Sequence, residues 1–286
     1  MEIKNKPLDY LFDFFDLPVR LLYTQLGPFS KILGSLFFWK LYTSSYQKLD
    51  SQFEKIIGFL QKANISISKK TVLEIGPGNS YINAYNFLMN KVKKVVLVDK
   101  FPRYFENKHQ QEFFKKELNF IKDKYKKKAL PFFDKKGKFK KECLLFINSD
   151  LTETKSLLVD FICSVSVLEH IRNVSANIKK MAEILRPGGF MYHKIDLRDH
   201  YDFNNPFLFY KYSDRVWNKY LTKEGHSYTN RWRYDDFIKE FRENNFEIIL
   251  EEITRFHLGH KMKINKKFKR YKNLDVGVME VLLRKT

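Results

Sequence analysis

The sequence predicts an α/β fold, a mostly parallel sheet with helices wound on both of its faces. Two observations carry that expectation. Short valine-rich apolar runs alternate with stretches of helical period. A glycine-rich turn, GPG at 76–78, follows the first of those runs and stands just before a helix.

Taken in order, residues 8–60 carry apolar residues at helical spacing, broken by Pro18 and by Gly27-Pro28, and read as two or three helices. From 71 the period shortens. TVLEIG and KVVLVD are strands, with a helix over SYINAYNFLMNKV between them. The span 101–142 is long for one crossover and heavy in lysine, so a helix followed by a solvated loop or small hairpin is expected there. ECLLFIN, DFICSVS and GGFMYHKID are further strands, with a helix from Leu168 to Leu185 between the last two. FEIILEEI and VGVMEVLLRK read as a final antiparallel pair.

Composition bounds the function. The apolar fraction of 44% is ample for a core, so disorder is excluded as the default. Cys143 and Cys163 both lie in apolar runs and read as buried thiols of a reducing compartment. Four acidic residues interrupt the first 18 positions where a secretion signal would be apolar, which points to a cytoplasmic protein. The formal charge of +20 invites a nucleic-acid reading, yet only 12 of the 53 basic residues are arginine, the residue suited to phosphate and base edges. General lysine bias explains the charge better than a dedicated polyanion surface.

In an open parallel sheet, ligands bind beyond the carboxyl ends of the strands where the strand order reverses. Gly76 and Gly78 sit at such an end, where a missing side chain lets a ligand approach the backbone. Asp99, some twenty residues on and at the end of the second strand, can accept hydrogen bonds from both hydroxyls of a ribose. An adenosine-containing cofactor is the favoured ligand.

EIGPG (74–78), VDK (98–100), NSDL (148–151), DFICSVSVLEHI (160–171) and LRPGGFM (185–191) fall in the order seen in class I S-adenosylmethionine (SAM)-dependent methyltransferases. The chain resembles that family over roughly residues 70–284. The resemblance implies a Rossmann-like, doubly wound, mostly parallel seven-stranded sheet whose last strand is antiparallel. It implies a methyltransferase domain at 69–286, preceded by an N-terminal helical extension or lid at 1–68. It implies that Glu74, Gly76 and Gly78 line the methionine side of the cofactor, that Asp99 holds the ribose, and that Asp150 meets the adenine amino group. Ser164 and Ser166 would lie beside the sulfonium. Ser80 stands where the family usually has a third glycine, and its hydroxyl is suited to capping the following helix. A dinucleotide-binding protein is the related alternative; EIGPG and the carboxylate of NSDL favour the methyltransferase.

Methyl transfer needs the acceptor atom held in line with the methyl, and a hydroxyl acceptor also gains from a positioned base. Two clusters qualify. Glu169-His170 follows the fourth strand, where a carboxylate also complements a helix dipole. His193, Asp196, Arg198, Asp199 and His200 crowd the end of the fifth. Alternation sends His193 and Ile195 to one face, Lys194 and Asp196 to the other. Two His and two Asp can hold a divalent metal, but no second carboxylate-rich motif faces them and no metal ligand is assigned. The candidate catalytic residues are His193, Asp196, His200 and His170.

The acceptor pocket is expected from added segments. One is the aromatic-rich stretch 197–233; the other is the N-terminal helices, with Phe37, Phe38, Trp39 and Tyr42 as surface candidates. The N-terminal segment is too broken by glycine and proline for a membrane span, though a peripheral membrane contact fits it. The acceptor is a small molecule, glycan or lipid methylated at oxygen or nitrogen. The alternatives are an RNA methyltransferase and a non-catalytic SAM-binding protein. No Asn/Asp-Pro-Pro-aromatic motif follows the fourth strand, and an intact EIGPG, Asp99 and Asp150 speak against an idle protein.

Overall fold

The computed structural model describes residues 46–78, 80–100, 108–134, 139–155, 157–200, 205–218, 228–258 and 262–286. The expectations for Phe37, Phe38, Trp39 and Tyr42 fall outside the described residues.

Seven strands form one sheet: β1 (Thr71–Ile75), β2 (Lys94–Asp99), β3 (Leu144–Asn148), β4 (Val159–Val165), β5 (Leu185–Asp196), β6 (Phe246–Arg255) and β7 (Val276–Lys285). Their spatial order is β3-β2-β1-β4-β5-β7-β6, with β7 antiparallel to both neighbours. The chain runs outward from β1 through β2 to β3, then returns to place β4 on the other side of β1. The strand order therefore reverses between β1 and β4, and the ligand crevice belongs beyond their carboxyl ends.

Helices cover both faces. α1 (Tyr46–Lys62), α2 (Ile82–Met89) and α3 (Lys108–Tyr125) lie on one; α4 (Val174–Ile184) and α5 (Tyr234–Glu243) lie on the other. In α1, Phe53, Ile56, Phe59 and Leu60 recur at helical spacing and are buried against Val72, Val95, Leu97 and Tyr192. Each such side chain contributes about 1.5–3 kcal/mol by leaving water. Lys55 adds a 2.5 Å ion pair to the buried Glu280 of β7. The described helix of that N-terminal span, α1, therefore packs on the sheet, which covers its apolar stripe. The second face joins Ile178 and Met181 of α4 and Phe237 and Phe241 of α5 to Leu73, Ile75, Ile162 and Met191.

Two local differences from the sequence reading have clear causes. The helix expected from Leu168 is split: a 3-10 turn spans Leu168–His170, and α4 starts only after Asn173, whose side chain accepts from the Ala176 N–H at 3.1 Å. The lysine-rich span does form a helix, α3, followed by an isolated antiparallel bridge between Phe133 and Phe139. Cys163 is buried, and Cys143 is only half-buried.

Ser164 and His193 are register partners on β4 and β5, and their side chains share a hydrogen bond of 2.7 Å. His193 is fully buried and lies parallel to the Phe241 ring at 5.9 Å. Alternation does send His193 and Ile195 to one face, but that face is the core under α5. Both side chains are buried in this packing, which speaks against His193 as a proton carrier and against Ser164 beside the sulfonium. The Ser164 contact serves the His193 Nδ1, while the Nε2 is buried without a hydrogen-bond partner among the described residues.

Burial drives the His193 imidazole down to about 3 from 6.5. Between those values the unfolded chain takes up a proton that the folded chain refuses, so stability falls as pH falls. From neutrality to about pH 5 the loss should be about 2 kcal/mol. Urea unfolding of wild type and His193→Asn at both pH values checks this; the variant should show the shallower dependence, and equal slopes would contradict it.

Candidate active site

The crevice is built from the loops that leave β1, β2, β3 and β4. Gly76 and Gly78 both have positive φ, +64° and +58°. The two glycines serve different ends. A Cβ on Gly76 would stand 2.6 Å from Val167 in the loop after β4, so the glycine lets the two loops touch across the reversal point. A Cβ on Gly78 would meet nothing within 4 Å, which leaves an open cradle above exposed backbone. The Gly78 N–H donates to Asp99 Oδ2 at 3.2 Å, fixing the second carboxylate-bearing strand end beside the turn. The carboxylate thus stands at the rim of a cradle that no side chain of Gly78 obstructs.

The neighbouring residues hold this turn in place. Glu74 is buried, its Oε1 accepting from Asn83 Nδ2 of α2 at 2.8 Å. Ser80 caps as expected, accepting from the Ile82 N–H at 3.2 Å, and it also donates to the buried Glu117 of α3 at 2.5 Å. Its hydroxyl is therefore turned into α3 and does not crowd the cradle. Asn148, at the end of β3, donates to the backbone oxygens of Asp99 and Lys100 at 2.9 and 3.2 Å. Asp150 spends one oxygen on capping, accepting from the backbone and hydroxyl of Thr152 at 3.1 and 2.8 Å. Its other oxygen faces Lys100 Nζ at 3.8 Å. Ser166 is exposed at the end of β4 with φ +54°, a conformation rare outside glycine and held by its N–H bond to Lys194 O at 2.9 Å.

Opposite the cradle, the structure brings together the two acid-histidine clusters that sequence treats as alternatives. The His170 and His200 rings lie 4.8 Å apart. Glu169 is buried, so it does not complement a helix dipole at the surface; its Oε1 accepts from the Asp196 N–H at 3.2 Å. Burial raises the Glu169 carboxyl well above the usual range. Burial also acts to raise Asp196, but the two-pronged Arg198 contact, at 2.9 and 2.6 Å, outweighs it and holds Asp196 low. His200, 3.9 Å from Asp196, is lowered by burial and is neutral at pH 7. Of the four expected catalytic residues, three meet here and His193 does not.

Phe209 and residues 229–233 of the aromatic-rich insertion line the space beside Glu169 and Asp196. Phe207, Phe209, Tyr210, Tyr212, Trp217 and Phe268 make a third core of their own. Arg233 is fully buried beneath it, donating to the carbonyls of Leu197 and Val276 at 2.6 and 2.8 Å with aromatic rings at 5.0–5.7 Å. Asn230 staples the insertion to the turn after β4, donating to Leu168 O at 2.7 Å and Ile171 O at 2.9 Å. Nothing local in the sequence marks Asn230, because its partners lie some sixty residues earlier.

The model of a methyltransferase domain family matches residues 48–251. Among solved structures, an N-methyltransferase of Bradyrhizobium japonicum in complex with S-adenosylhomocysteine is similar, with 13% identity, 86% of this chain and 91% of that chain covered, and a TM-score of 0.44. A 1,6-didemethyltoxoflavin-N1-methyltransferase of Burkholderia thailandensis has 11% identity, covers 100% and 93%, and has a TM-score of 0.45. A SAM-dependent methyltransferase of Methanosarcina mazei has 12% identity, covers 79% and 96%, and has a TM-score of 0.46. No curated protein matches in sequence.

Two glycine substitutions separate the roles drawn above. Gly76→Ala should cost about 1–3 kcal/mol of stability, because the methyl meets Val167 at positive φ. Gly78→Ala should cost about 1 kcal/mol and weaken SAM binding at least tenfold, its methyl standing in the cradle. Asp99→Ala should abolish measurable SAM binding in calorimetry while circular dichroism stays native; unchanged affinity would remove Asp99 from the site. The family match spans well over half of the chain, and it joins the sheet order and the glycine cradle in one conclusion: this chain belongs to the methyltransferase-domain family and is a SAM-dependent methyltransferase.

Proposed function

We propose that the acceptor is a small organic molecule, of metabolite, glycan or lipid type, methylated at oxygen or nitrogen. The observation that supports this reading is the separate aromatic core whose Phe209 lines the space beside Glu169 and Asp196. Such a core gives that lining the rigidity to shape an acceptor site.

SAM supplies an activated methyl group, so the protein's own task is placement. Gly78 and Asp99 hold the nucleoside end, and Val167 presses the loop after β4 against the glycine turn. The acceptor atom must then stand about 3–3.5 Å from the methyl. Neutral His200 and ionised Asp196 offer polar groups of the right charge to orient a hydroxyl or amine.

The RNA alternative draws on the positive charge. Against it, Arg231 and Arg233 of the insertion are buried and spend their donors within the protein. Phosphate contacts need such side chains at the surface. A membrane-surface role for the N-terminal segment stays part of the proposal, and no helix among the described residues is long and apolar enough to cross a membrane.

The test is transfer of labelled methyl from SAM into fractionated extracts of the source cell. Label should enter the small-molecule, saccharide or lipid fraction and should survive ribonuclease. Label confined to a ribonuclease-sensitive polymer would overturn the reading.

A further inference from the structure

We propose that Glu169, His170 and His200 bind a divalent first-row transition-metal ion, with its remaining coordination positions open to the acceptor. The three residues come from two chain segments, the turn after β4 and the end of the β5 extension, and each offers one ligand atom. These atoms lie within 4.8 Å of one another. An ion binding nitrogen and oxygen at about 2.0–2.2 Å draws such a set in by rotamer adjustment alone.

Three features go beyond proximity. First, Glu169 is only 2% exposed, and its Oε2 has no hydrogen-bond partner among the described residues. A buried carboxylate oxygen left in that state carries a large desolvation penalty that a cation would remove. Second, both histidines are held from behind as metal-ligating histidines are. His170 Nδ1 lies 2.6 Å from the Tyr228 carbonyl. A carbonyl can only accept, so Nδ1 carries the proton and Nε2 presents the lone pair. The His200 ring is tied in turn to the Asp196 backbone. Third, the charged groups around the trio leave room for a cation. Asp196 is neutralised by Arg198, Lys194 acts on Glu169 from the neighbouring strand end, and no arginine or lysine is ion-paired to Glu169 among the described residues.

Two imidazoles and one carboxylate select zinc, manganese, iron, cobalt or nickel over magnesium and calcium, which prefer all-oxygen shells. Three protein ligands also leave positions open, as catalytic sites do and structural ones do not. Use of such an open position for an acceptor oxygen rests on the function proposed above; binding of the ion does not.

The direct test is titration of the metal-free, untagged full-length chain with Co(II), followed by its visible d–d absorption. A single equivalent should give the intense bands of a low-coordinate N/O site, displaced by Zn(II). Glu169→Gln keeps the acceptor for the Asp196 N–H, and His200→Gln keeps most of the volume; each should weaken Co(II) binding by at least about 10²-fold. SAM affinity, measured by calorimetry on the same samples, should stay within about twofold, which keeps failure of the metal site distinct from failure of the cofactor assignment. Zinc-edge X-ray absorption of the wild-type complex needs no substitution and should show imidazole and oxygen ligation without sulfur. The proposal is overturned by a spectrum no stronger than that of the aquo ion, by equal binding in both variants, or by sulfur ligation, which would place the ion on Cys143 instead.

Discussion

The contact between Gly76 and Val167 is the constraint on which the rest of the site depends. β1 and β4 are neighbours, and the loops leaving them must pass each other within the space of one missing methyl group. Only a glycine at positive φ allows that approach. With it in place, the first loop turns toward Asp99 while the second delivers Ser166, Glu169 and His170 to the opposite side. The glycine turn and the Glu169-His170 turn thus share one hinge of packed backbone. A shift there of even an ångström would separate the methyl donor from its acceptor.

Around that hinge, polar groups inside the protein are used mainly to fix loops. Ser80 and Glu117 tie the glycine turn to α3, Asn148 ties the end of β3 to that of β2, and Asn230 ties the insertion to the turn after β4. Each bond spans segments far apart in sequence. Such bonds contribute about 1 kcal/mol apiece, modest for stability but enough to select one loop arrangement among several. The buried Arg233 works the same way, with two backbone carbonyls and an aromatic cage in place of a carboxylate partner.

Much of this was legible in the sequence. The valine-rich strands, the glycine turn and Asp99 follow from local pattern, since short continuous apolar runs and positive φ are decided within a few residues. Asp196 and His200 were legible too, as polar residues where a strand ends. His193 was misread because alternation tells that it faces away from Asp196, but not which face is closed by α5. The place of α1 is hidden for a related reason: its stripe shows that it is amphipathic, and only the tertiary fold shows that the sheet covers it. The meeting of Glu169-His170 with His200 was invisible for want of a register between β4 and β5, which the Val159/Phe161 bulge sets.

The measurement that bears most directly on the account is amide hydrogen exchange with and without S-adenosylhomocysteine. Protection should concentrate at 74–80, 98–100 and 148–152, with a smaller effect in the turn at 164–170 that packs on Gly76. Protection absent from those segments, or centred instead on the far edge of the sheet at β6, would contradict a cofactor seated where the strand order reverses.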